Sequence, residues 1–230
     1  MHGNHIFVSG SIWYGVTLKG AKGFAPTAIG GTGMGTINTR SIFIRSFDIP
    51  NYKPDIILIY AGQNDPVANW VSSENKGTSL EDIVASEKPY SEQIVNKKVS
   101  IIAAYKGCVE MLMKQCPLAK IYLVTQMRVR ADVGLAGSDI FYNHRWNGVI
   151  RFPTFEDVLK WEQTERYPRV EYIRAIGKYY GLPVIDLWDN CGFTDFNAKY
   201  LYGEPAYDCT QVHPNPEGYK RLAECISTYL

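Results

Sequence analysis

The chain has 230 residues, 46% of them hydrophobic and 20% charged. That suits a single soluble domain with a well-buried core and is short for two. Its 24 basic and 23 acidic side chains leave a net charge of +1, so charge makes no case for nucleic acid or an anionic membrane surface as a partner.

In chain order, His5-Ile6-Phe7-Val8 is a short candidate strand, and Thr27-Ala28-Ile29 a weaker one before a glycine cluster at 30–35. The clearest strand is Asp55 to Ala61, a continuous apolar run that follows Lys53-Pro54 and stops at Gly62. Such a run fits a strand covered on both faces. Residues 66–96 are polar and glycine-containing and read as a long loop or insertion. Ser100 to Lys114 repeats apolar residues at helical spacing and ends at Cys116-Pro117. Lys120 to Thr125 is the next strand. Residues 128–153 form a second loop-like stretch, holding His144 and Trp146. A helix over 170–180 ends at Gly181, and Pro183 to Leu187 is a third strand. The last helix is the best signalled: Asn215 is a good N-cap, Pro216 suits the first helical position, and Glu217 favours the positive helix end. Alternating strands and helices predict one domain over 1–230, a parallel sheet with helices on both faces, and loop insertions near 66–97 and 128–153.

Five cysteines without a CxxC pair argue against a disulfide framework and a thiolate metal site. Cys191 and Cys209 are a candidate pair in an exported protein. No apolar run reaches membrane-spanning length, and Met1 to Ser11 has neither the basic start nor the apolar stretch of a signal peptide. The compartment stays open: cytoplasmic, or exported with a signal outside these residues.

His213 lies in Val212-His213-Pro214-Asn215-Pro216, immediately before the last helix. The positive end of a helix disfavours a charged imidazole, so the ring should stay neutral and able to take a proton near pH 7. Gly62-Gln63-Asn64-Asp65 follows the strongest strand, where an asparagine amide can be aimed at a developing oxyanion. Ile29 to Thr36 has glycines at 30, 31, 33 and 35, which let backbone N–H groups approach a ligand. It lacks the Lys-Ser/Thr ending of a phosphate-binding loop, and GxGxxG does not fit in register.

Taken together, these blocks resemble the SGNH (GDSL-like) hydrolase superfamily, from about Trp13 to the C-terminus. Further stretches that carry the resemblance are Lys53-Pro54-Asp55, Ala119-Lys120, Tyr180 to Leu187, and His213 to Tyr219. The resemblance implies a three-layer α/β/α sandwich with a mostly parallel, five-stranded, flavodoxin-like sheet. It also implies a serine nucleophile, Gly31 and Asn64 as oxyanion donors, and His213 as base. Two departures stand out. The family's aspartate three residues before the histidine is Thr210 here, with Asp208 five before. The Gly-Asp-Ser nucleophile sequence is absent. Ser9-Gly10-Ser11 follows the first strand and puts Ser11 in the nucleophile's place, whereas aligning Trp13-Tyr14 with the family's tryptophan-led helix puts the serine upstream of Met1.

The resulting expectation is an ester hydrolase that removes acyl groups, acetyl above all, from a carbohydrate or similar small ester. Aromatic residues at 13% of the chain, with Trp70, His144 and Trp146 as candidate pocket walls, agree with a sugar substrate. No metal or cofactor is expected. A non-catalytic carbohydrate-binding or scaffold module on the same fold is the alternative. A nucleotide-binding domain using the glycine turn ranks last.

Overall fold

The computed structural model describes residues 4–9, 23–26, 34, 36–37, 43, 46–47, 49–63, 65–92, 94, 97–128, 132–133, 141–145, 148–152, 154–194, 197–202 and 214–230. The main strands are β1 (Asn4–Ser9), β2 (Gly23–Pro26), β3 (Ile56–Tyr60), β4 (Lys120–Val124) and β5 (Val184–Ile185). The helices are α1 (Leu80–Ser86), α2 (Ile101–Gln115), α3 (Phe155–Trp161), α4 (Tyr167–Tyr180), α5 (Leu187–Asn190), α6 (Ala198–Leu201) and α7 (Pro216–Ser227). The chain divides into two compact units: Met1–Gln126 with Pro168–Ile185, and Met127–Tyr167 with Asp186–Leu230.

The first unit holds a parallel sheet in the order β5-β4-β3-β1-β2. Both faces of β3 and β4 are covered, as their unbroken apolar runs require. Ile57, Ile59 and the following Ala61, with Ile121 and Leu123, face a core shared with α2 and with Ile173 and Ile176 of α4. Leu58, Tyr60, Tyr122 and Val124 point the other way and are also buried.

Ser100 starts α2 by accepting the Ala103 N–H at 3.1 Å, and Pro117 bars its extension. Buried within α2 is Lys106, whose ammonium donates to the carbonyls of Val84 at 2.8 Å and Glu87 at 2.7 Å, at the C-terminal end of α1. A cation there is favoured by the negative helix end.

Within the stretch read as a long loop or insertion, the described residues from 66 to 92 hold packed structure. It contains a 3-10 turn (Val67–Asn69) and α1, with Trp70 and Val84 wholly buried. Trp70 stacks on Tyr105 (centroids 6.0 Å apart) and Tyr172 (5.5 Å). A strand forms at Gly23–Pro26, and Thr27 to Ile29 lie outside the described residues. The third expected strand is shorter than its apolar run suggests. Asp186 accepts the Asp189 N–H at 3.2 Å and turns Leu187 into the start of α5.

In the second unit, within the stretch read as a loop or insertion, strands Asp132–Val133, Phe141–Arg145 and Gly148–Phe152 form an antiparallel sheet. Helix α3 opens with a Thr154/Asp157 capping box and continues as a π-helical turn over Glu162–Arg166, the Tyr167 N–H bonding back to the Glu162 carbonyl. Pro168 follows, without a donor for the regular ladder.

Candidate active site

Strand β3 delivers the chain to Gly62, which has φ +92°. The Asp65 N–H bonds to the Gly62 carbonyl at 3.2 Å and closes a tight turn. Only a glycine suits the site: a Cβ on Gly62 would lie 2.5 Å from Cζ2 of Trp70. The turn is anchored at several points. Tyr105 donates its hydroxyl to the Ala61 carbonyl at 2.9 Å, and burial holds that phenol well above its ordinary pKa, so it stays a donor. Arg169, 5% exposed, donates to the Gln63 carbonyl at 2.9 Å. The buried Asp65 carboxylate accepts the Met34 N–H at 2.7 Å. That bond ties the turn to the glycine-rich stretch. Asn64 sits in sequence between these fixed points and is itself outside the described residues.

In the second unit the segment after His213 is equally well held. Pro214 pairs with Tyr202 in an antiparallel bridge. The Asn215 N–H bonds to the Leu201 carbonyl at 2.8 Å, its amide donates to the Tyr200 carbonyl at 2.9 Å, and its Oδ1 accepts the Gly218 N–H at 3.0 Å. Asn215 is thus the N-cap and Pro216 begins the helix, as the sequence predicted. Tyr202 in turn bonds to the Arg128 carbonyl.

Ser11, Gly31, Asn64, Trp146, Asp208 and His213 lie outside the described residues. His144 falls on an antiparallel strand opposite Val149 rather than on a loop. Trp70 is corrected: with no exposed surface it belongs to the core and is not a pocket wall. Its ring packs over Gly62 and is drawn in by the stacking partners Tyr105 and Tyr172, both remote in sequence. Cys191 is a buried free thiol, and Cys209 is outside the described residues. Sequence reasoning missed Arg169 and Tyr105, because nothing in their local pattern marks a bond to a carbonyl remote in the chain.

A groove of about 960 Å³ in the first unit is bordered by Ser72, Asn75, Lys76, Glu87, Lys98 and Ser100 among others. Glu87 accepts there from the Ser72 N–H (2.7 Å), the Asn75 amide (3.0 Å) and the Ser100 hydroxyl (2.6 Å). Among the described residues no group of His, Cys, Asp or Glu could hold a metal, and no helix is long and apolar enough to cross a membrane.

Residues 13–221 match the model of the GDSL-like lipase/acylhydrolase family. No curated protein matches. Among solved structures, a protein from Lactobacillus plantarum is similar at 14% identity and TM-score 0.59, with 100% of this chain and 96% of that one covered. A possible lipase from Chitinophaga pinensis is similar at 15% identity and TM-score 0.53, with 99% and 97% covered. At such identities these likenesses speak for the fold alone.

Proposed function

This chain belongs to the GDSL-like lipase/acylhydrolase family, and from that premise we propose that it is a serine-type ester hydrolase, removing acetyl or similar acyl groups from a carbohydrate or other small ester. On this reading the 230 residues form one domain, a three-layer α/β/α sandwich of flavodoxin-like order. Ser11 attacks the acyl carbonyl, and His213 takes its proton and then passes it to the leaving alcohol. Water then releases the acyl group with His213 again as base. The Asn64 amide and the Gly31 N–H stabilise the tetrahedral oxyanion, each worth about 2.7–4 kcal/mol in such sites. Asp208 orients the imidazole, and His144 and Trp146 meet the substrate. No step calls for a metal or cofactor.

The observation that carries the reading is the build of the Gly62–Asp65 turn. Bonds from Tyr105, Arg169 and Met34 fix it at the carboxyl end of a central parallel strand, the edge where open α/β sheets bind ligands. An oxyanion donor needs such preorganisation, since it must not reorganise as charge develops. The missing Gly-Asp-Ser sequence and Thr210 favour a second reading, a carbohydrate-binding or scaffold module without turnover.

Hydrolysis of p-nitrophenyl acetate by the chain, beside Ser11→Ala and His213→Ala, separates the two. The esterase reading expects turnover by the parent and a loss of roughly a thousandfold or more in both folded variants. A folded parent without turnover sinks it in favour of the binding module.

A further inference from the structure

Gln126 ends the first unit, two residues beyond β4. It is 2% exposed, and its Nε2 is buried with no hydrogen-bond partner among the described residues. Native interiors leave few such donors, because an amide stripped of water and left unbonded is destabilising. Trp70 shares the lack at Nε1, but there the stacked rings offset it. A methionine would fill the space of a glutamine with no donor to satisfy.

Strand register places Gln126. Tyr60 of β3 pairs with Val124 of β4 in a parallel ladder. The Thr125 N–H still bonds to the Ile185 carbonyl at 3.0 Å, so β4 keeps its course to that point. The ladder ends at the Tyr60–Val124 pair; continued by two residues, its register would set Gln126 level with Gly62, the first residue of the anchored turn. Both residues therefore stand on the carboxyl edge of neighbouring strands, where ligands bind in such sheets. An unfilled donor at that edge, held at the expense of stability, has the character of a group kept for a ligand.

We propose that Gln126 is a substrate-binding residue, its carboxamide N–H donating to an oxygen of the bound ester. The inference rests on the esterase reading above. The ligand chemistry is a carbonyl or hydroxyl oxygen, met in surroundings dry enough to strengthen the bond. Substrate binding completes a hydrogen bond that no described residue supplies.

The test is Gln126→Met, which keeps length and removes the donor. Its urea unfolding midpoint is measured beside kcat and KM for p-nitrophenyl acetate. The expected result is a midpoint equal to or above the parent's, with kcat/KM lower by about tenfold, within the range of one lost hydrogen bond to substrate. Unchanged kcat and KM in an active parent overturn this inference alone. A loss of activity that comes with a lowered midpoint overturns it too, for it assigns Gln126 a structural bond. A folded parent without turnover sinks the esterase reading, and this inference with it.

Discussion

Gly62→Ala probes the turn on which the candidate site depends. At φ +92° any side chain is strained, by about 1–2 kcal/mol. The new Cβ would also stand 2.5 Å from Cζ2 and 2.8 Å from Cη2 of Trp70. That indole cannot easily withdraw, since it is wholly buried and stacked on both Tyr105 and Tyr172. Overpacking of this kind adds about 1–3 kcal/mol, for a sum of roughly 2–5 kcal/mol. In a chain of this size that lowers Tm by about 4–20 °C. Gly181→Ala is the control: φ is +65° there, but nothing lies within 4 Å of the added Cβ, so only the strain of about 1–2 kcal/mol remains. Urea unfolding followed by fluorescence measures both. If Gly62→Ala is destabilised no more than Gly181→Ala, the contact with Trp70 does not constrain the turn.

Three further outcomes follow from the same structure. Arg169→Met removes the bond to the Gln63 carbonyl and should lower stability by about 1.5–3 kcal/mol and reduce kcat; a variant with the parent's stability and kcat would show that the turn does not need this anchor. Burial pushes the Glu87 carboxyl up, but hydrogen bonds from Ser100, Ser72 and Asn75 outweigh it and hold the pKa below its ordinary value. Its stabilisation is therefore complete above the ordinary carboxylate range of about 4.3 and is lost as pH falls through the lower folded value. Glu87→Gln should be destabilised by about 2 kcal/mol at neutral pH, with the gap to the parent closing on acidification; a gap independent of pH in urea unfolding would contradict this. Burial raises the thiols of Cys108 to about 11 and Cys191 to about 12. Iodoacetamide on the native chain at pH 8 should therefore reach the half-buried Cys225 before Cys108 and Cys191, and peptide mapping that finds either of them labelled ahead of it would count against their burial.

The sheet was legible because β3 and β4 are unbroken apolar runs, and α2 and α7 because Ser100 and Asn215 are strong N-caps. What escaped was structure held by partners remote in the chain. Trp70 lies in polar sequence, yet is buried by stacking on Tyr105 and Tyr172. The helix from Phe155 carried a signal, the Thr-x-x-Asp spacing of Thr154 and Asp157, but its charged residues hide an apolar stripe. The end of β5 was overrun because Asp186 reads as part of a strand until its side chain caps α5. At the site, the turn after β3 and the start of α7 were visible as local chemistry. Arg169, which holds the Gln63 carbonyl from 106 positions away in the chain, was not.

The most direct test of a serine-type hydrolase is to treat the folded chain with a fluorophosphonate and map the adduct by mass spectrometry. A nucleophile activated by His213 gives one phosphonylated residue, Ser11, and His213→Ala abolishes the adduct. A folded chain that takes no adduct on any serine, or takes one that persists in His213→Ala, would contradict the account.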